Sequence, residues 1–204
     1  MQTSTARCKV AEFARKAAVA SVAAVAAALL VTACGGGAAR YAEDACTLIK
    51  KERKWKRHTR RAEKKWKVPR HVVLAIIHQE SRFDANARPK RKRFLGIPTR
   101  RPSSAFGYPQ ALDSTWKLYA RATDNFGAER DEVSDAVDFV GWYVATTRRK
   151  LNIPADDAYR QYLAYHEGWK GYARGTWKRK KWLPPVARKV ARQAERYRVQ
   201  LKRC

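Results

Sequence analysis

The chain has 204 residues, enough for a leader segment and one domain of ordinary size. A 45% hydrophobic content with seven Trp supplies a real core and excludes a chain that is disordered throughout. The 45 Lys+Arg against 18 Asp+Glu give a net charge of +27, which directs the surface toward nucleic acid, anionic lipid or an acidic cell-wall polymer.

At the N-terminus, Arg7, Lys9, Arg15 and Lys16 precede an apolar, Ala-rich stretch from Ala17 to Ala33. That is the layout of a basic n-region followed by an h-region. The stretch ends in Leu30-Val31-Thr32-Ala33-Cys34 and runs into Gly35-Gly36-Gly37. These residues resemble the lipobox of bacterial lipoproteins. The resemblance implies a signal peptide over 1–33, cleavage before Cys34 and acylation of the Cys34 thiol. Acyl chains bind a bilayer with about 0.8 kcal/mol per buried CH₂, so several of them anchor firmly. An uncleaved membrane helix is the rival, and the stretch is short and Ala-dominated for one. Gly35 after the Cys implies the outer membrane, because Asp there is the usual inner-membrane signal. Cleavage removes four basic and one acidic residue, so 41 basic and 17 acidic residues remain, a net +24. Export to the periplasm argues against nucleic acid and leaves peptidoglycan peptides and membrane phosphates as anionic surfaces. Cys8 leaves with the leader and Cys34 carries lipid, so Cys46 and Cys204 remain near the two ends of the mature chain. An oxidising compartment predicts a disulfide between them, with two free thiols as the rival.

Residues 34–46 read as a Gly-rich tether. Thr47 to Lys67 reads as a basic helix with a narrow stripe of Trp55, Ala62 and Trp66. Val68-Pro69 opens a helix over Arg70–Ser81, with Val72, Val73, Ile76 and Ile77 as its buried face. Glu80 falls four residues after Ile76 and seven after Val73, so it continues that apolar face. A carboxyl placed there is costly unless it has a task or a partner. Arg88 to Ser104 carries Pro89, Gly96, Pro98 and Pro102 among many Lys and Arg and reads as a loop. Further helices are predicted over Gln110–Phe126, closed by Gly127, over Asp131–Lys150, over Ala155–His166, ended by Gly168, and from Pro184 onward. No period-two strand run is present. The predicted fold is all-α with at most a marginal β-hairpin in the basic loop, its main domain spanning 68–204.

Three segments carry the chemistry: His78-Gln79-Glu80-Ser81-Arg82-Phe83, Ser103-Ser104-Ala105-Phe106-Gly107-Tyr108-Pro109-Gln110, and Ala164-Tyr165-His166-Glu167-Gly168. In order and spacing they resemble the Glu-Ser, Gly-Leu-Met-Gln and Ala-Tyr-Asn motifs of the soluble-lytic-transglycosylase (SLT) domain. The resemblance implies a goose-lysozyme-like, all-α fold and peptidoglycan glycan strands as substrate. It further implies that Glu80 acts as general acid and then base, forming a 1,6-anhydro-N-acetylmuramyl product. By the same resemblance Gln110 positions the sugar, and Gly107 lets backbone approach the cleft. Tyr165 hydrogen-bonds Glu80 or substrate, while Ser81, Tyr108 and His166 belong to the substrate site. The chain departs from the pattern at Tyr108 and Pro109 and again at His166 and Glu167.

The residues support the same centre. Protonating a glycosidic oxygen requires an acid that still holds its proton near neutral pH, and desolvation on an apolar face raises a carboxyl in that direction. Hydrolytic glycosidases need a second carboxylate. Asp84 leaves the helix and Asp113 and Asp124 fall on a polar face, so Glu167 is the one candidate that keeps a lysozyme-like muramidase open. A non-catalytic wall-binding lipoprotein is the other alternative. Trp169 and Tyr172 read equally as core or as rim contacts to sugar, and the basic loop as a partner for stem-peptide carboxylates. His58, His71 and His78 lack metal-ligand spacing. The chain is therefore predicted to be a monomer without metal or cofactor, with peptidoglycan and the membrane as partners and no nucleic acid.

Overall fold

The computed structural model describes residues 37–204; the predicted leader over 1–33 and the lipidation site Cys34 lie outside the described residues. The described chain forms seven α-helices: α1 (Ala45–Lys51), α2 (Arg53–Trp66), α3 (Arg70–Ser81), α4 (Asp113–Thr123), α5 (Val133–Leu151), α6 (Ala158–Ala173) and α7 (Leu183–Leu201). A two-residue pair, β1 (Arg93–Phe94) and β2 (Ile97–Pro98), forms an antiparallel hairpin in the basic loop. The all-α expectation and the marginal hairpin both hold.

Helix α3 is the axis of the core. Val72 through His78 are all buried, a wider burial than the single stripe that the periodicity described. Each fully buried Val, Leu or Ile contributes roughly 1.5–3 kcal/mol. Helix α7 lies along α3, and α2, α5 and α6 close the remaining sides. Helices α2 and α5 meet at Asp138, which accepts from Trp66 Nε1 (2.9 Å), Lys65 Nζ (2.9 Å) and the Tyr119 hydroxyl (2.9 Å) of α4. One carboxylate thereby ties three helices.

The N-terminal part departs from the sequence reading. The predicted helix over 47–67 is two helices, because Glu52 is extended (φ −111°, ψ 90°). A continuous helix would set Ile49 and Trp55 about 120° apart. The break turns both into the core, where each is 1% exposed. Nor is the stretch to residue 46 a free tether from Gly37 on. Ala38, Ala42 and Ala45 are buried, Ala45 N donates to Gln200 Oε1 (2.9 Å), and the Tyr197 hydroxyl donates to the Ala42 carbonyl. The core is continuous across the predicted boundary at 67/68. Cys46 and Cys204 are partly buried neighbours, unbridged in this structure. Burial and then the neighbouring Cys46 push the Cys204 thiol up to about 11.

Helix ends also shift for local reasons. Helix α4 begins at Asp113, not Gln110, because Gln110 is left-handed (φ 49°) and Ala111 bridges to Phe106. It ends in left-handed Asp124 (φ 51°) before reaching Gly127. Helix α6 starts after Asp157, whose side chain accepts from Arg160 N (2.9 Å), and kinks at Gly168 (φ 71°, ψ 159°) instead of ending there.

Candidate active site

The last turn of α3 delivers Glu80 to the floor of an open cleft of about 380 Å³. Immediately beyond, Arg82 (φ 51°) and Phe83 (φ 63°) are consecutive left-handed residues. Such positions cost non-glycine residues roughly 1–2 kcal/mol each. The double turn stops the helix one residue past Glu80 and drives Phe83 into the core, edge-on to Trp55 at 4.9 Å. Phe139 and Tyr143 of α5 and Tyr165 of α6 wall the cleft with aromatic surface.

That wall sets the chemistry of the carboxyl. Burial pushes Glu80 up to about 7, although a hydrogen bond with the Tyr162 hydroxyl pulls in the opposite direction. The acid is therefore poised to hold or release a proton near neutrality. Tyr162 takes the position that the sequence reading gave to Tyr165. The Tyr165 hydroxyl instead donates to the Pro109 carbonyl at 2.6 Å, pinning the loop opposite Glu80. The two tyrosines are three residues apart on one face of α6, so sequence spacing alone does not separate their roles.

Gln110 lines the cleft, and its Nε2 donates to the Ala87 and Gly107 carbonyls (2.8 and 2.7 Å). Both amide protons are used within the loop, so Gln110 offers the cleft its carbonyl oxygen. Gly107 is required for a different contact from the one expected. A Cβ there would lie 2.2 Å from the Arg130 carbonyl oxygen, at φ +70°. The close approach is to that backbone and not to the cleft. Gly107→Ala is expected to destabilise the domain by about 3 kcal/mol or more, read as a lowered denaturant midpoint. Tyr108 is a core residue, 9% exposed and edge-on to Trp55 at 5.2 Å, which corrects its assignment to the substrate site. Ser81 bonds back to the Ile77 carbonyl (3.2 Å), a helix-end contact.

His166 and Glu167 line the far side of the cleft. The Glu167 carboxylate accepts from Lys180 Nζ (2.6 Å), Thr176 Oγ1 and His166 Nδ1 (3.0 Å). Burial alone would raise its affinity for a proton. The three donors outweigh burial and hold the carboxyl down to about 2. His166 also meets the edge of Trp182, which is 54% exposed (5.0 Å). Trp169 resolves toward core: it stacks on Tyr143 at 4.8 Å and its Nε1 donates to Thr147 Oγ1 (2.8 Å). Tyr172 stacks on Trp177 at 6.3 Å.

Tyr162, Phe139 and Tyr143 escaped the sequence reading as site residues. Phe139 and Tyr143 are four apart on α5, a pairing visible in sequence but masked by the valines that defined that helix.

An all-α domain with an acid at the end of its central helix, set on the floor of an open cleft, is a lysozyme-like architecture. The family model of the transglycosylase SLT domain matches residues 22–204, and the chain belongs to that family. Its function is accordingly of the lytic-transglycosylase type, the degradation of peptidoglycan. No curated protein and no solved structure matches the chain.

Proposed function

We propose that the protein cleaves the β-1,4 bond between N-acetylmuramyl and N-acetylglucosaminyl residues without consuming water, using Glu80 twice. The protonated carboxyl donates its proton to the glycosidic oxygen as the C1–O bond breaks. The muramyl N-acetyl oxygen stabilises the cationic C1. The resulting carboxylate then takes the proton of the C6 hydroxyl while O6 attacks C1, closing the 1,6-anhydro ring. Glu80 ends protonated, ready for the next cycle.

The observation that carries this reading is a single cleft carboxyl raised to about 7. The Tyr162 hydrogen bond orients that carboxyl. The Gln110 carbonyl oxygen and His166 are the proposed sugar contacts. The muramidase alternative draws on Glu167, which lines the same cleft. A carboxylate held down to about 2 by three donors is a weak base for water, which favours the one-carboxylate route.

The test is digestion of purified sacculi followed by mass spectrometry of the released muropeptides. Anhydro forms support the proposal; products one water heavier show a muramidase. Glu167→Gln should retain anhydro products, with activity lowered less than about tenfold through looser packing around Lys180. Loss as complete as that of a Glu80 variant would give the reaction to Glu167.

We further propose a periplasmic lipoprotein, monomeric and held to the outer membrane through acylated Cys34, with Cys46 and Cys204 joined as a disulfide. The adjacency of these two thiols supports the bridge. Intact mass of the protein from the periplasm should rise by two hydrogens on reduction; an unchanged mass would show free thiols.

A further inference from the structure

The basic loop folds into a hairpin that is not part of the cleft lining. Leu95 (φ 48°) and Gly96 (φ 82°) make a two-residue turn with both angles positive, joining strands in which Phe94 faces Ile97. Thr99 closes the base through its backbone N and its hydroxyl, both to the Lys92 carbonyl (2.7 and 2.9 Å). The tip is apolar and in water: Phe94 is 70% exposed, Leu95 86% and Ile97 68%. A left-handed turn position favours Asn, Asp or Gly, so Leu95 stands there against local preference. Around the tip, residues 88–104 hold seven Lys/Arg and no Asp or Glu.

We propose that this hairpin docks on an anionic phospholipid surface, its three apolar side chains entering the headgroup boundary within a collar of cations. An apolar tip ringed by positive charge matches a bilayer carrying phosphate groups: burial serves the tip and Coulomb attraction serves the collar. Stem-peptide carboxylates would satisfy the collar and leave the tip in water. A second copy of this strongly basic chain would be repelled. A further argument rests on the lipid-anchor reading above: three peptide units separate Cys34 from Gly37, where the first described helix begins, so the chain lets an acylated Cys34 reach at most about 11 Å from that helix. The base of the hairpin is tied to the cleft wall, with Arg88 over the Phe106 ring at 3.9 Å and Gln110 bonded to the Ala87 carbonyl. Docking there would set the cleft beside the membrane.

The test is hydrogen exchange of the full chain in vesicles of phosphatidylcholine alone and of phosphatidylcholine with phosphatidylglycerol. Any lipid or leader anchor enters both vesicles, so the comparison isolates the headgroup charge. Exchange over residues 91–99 should slow about tenfold or more in the anionic vesicles only. The triple variant Phe94→Ser, Leu95→Ser, Ile97→Ser should lose that protection, as should Arg91→Gln, Lys92→Gln, Arg93→Gln. Equal exchange in both vesicles would overturn the proposal. So would full protection of the serine variant, or protection by isolated sacculi without protection by anionic vesicles. Failure here leaves the cleavage reaction untouched, because sacculus digestion reads that separately.

Discussion

Glu80→Gln is expected to abolish release of soluble muropeptides from sacculi, a loss of about a thousandfold or more, while the domain stays folded. Gln keeps the shape of the side chain and can still accept from the Tyr162 hydroxyl. It cannot supply an acidic proton or take one back from a C6 hydroxyl. The same substitution should stabilise the protein above neutral pH. In the folded state the Glu80 carboxyl is raised from 4.5 to about 7, chiefly by burial. Below pH 4.5 both folded and unfolded forms hold the proton, and the group makes no difference. Between these values only the folded form holds it, so stability falls as pH rises, and above about 7 the full cost is present. Removing the charge should recover about 3 kcal/mol at pH 8, a rise in Tm of roughly 9 °C, and almost nothing at pH 4. Thermal unfolding at the two pH values checks it. Wild-type cleavage should correspondingly decline as pH rises through about 7, when the starting acid is lost.

The largest stability effect is expected at Trp55. It is 1% exposed and meets Phe83 and Tyr108 edge-on at 4.9 and 5.2 Å. Phe83 anchors the double left-handed turn after Glu80, and Tyr108 anchors the loop carrying Gly107 and Gln110. One indole from the N-terminal helix pair therefore supports both sides of the cleft. Trp55→Ala should cost 3–5 kcal/mol, about the range for deleting a buried large aromatic. Denaturant unfolding reads that loss. A KM raised in the residual folded protein would show that the cleft loosens with it, whereas Leu48→Ala, which removes neither aromatic contact, should lower stability alone.

Legibility in the sequence followed burial. Helix α3 and the placement of Glu80 on it were readable because apolar residues recur at 72, 73, 76 and 77 and Pro69 fixes the start. Helices α5 and α7 announced themselves through their spacing in the same way. The break at Glu52 was invisible because basic residues on both sides fit one continuous solvated helix; only the demand that Ile49 and Trp55 share a core creates it. Tyr108 and Gly107 were misread as cleft residues because a motif in sequence does not reveal which backbone lies behind it, here that of Arg130. The exchange of roles between Tyr162 and Tyr165 turns on a reach across 56 residues to Pro109, which no local pattern encodes. Glu167 could be flagged from its neighbours, but its neutralising partners Thr176 and Lys180 come from a separate turn.

The measurement closest to the central claim is digestion of sacculi in water enriched in heavy oxygen, with the new muramyl ends analysed by mass spectrometry. Attack by the C6 hydroxyl takes no oxygen from solvent, so the account predicts anhydro ends without label, absent altogether with Glu80→Gln. One heavy oxygen at each new reducing end would show that water attacks C1, and would contradict it.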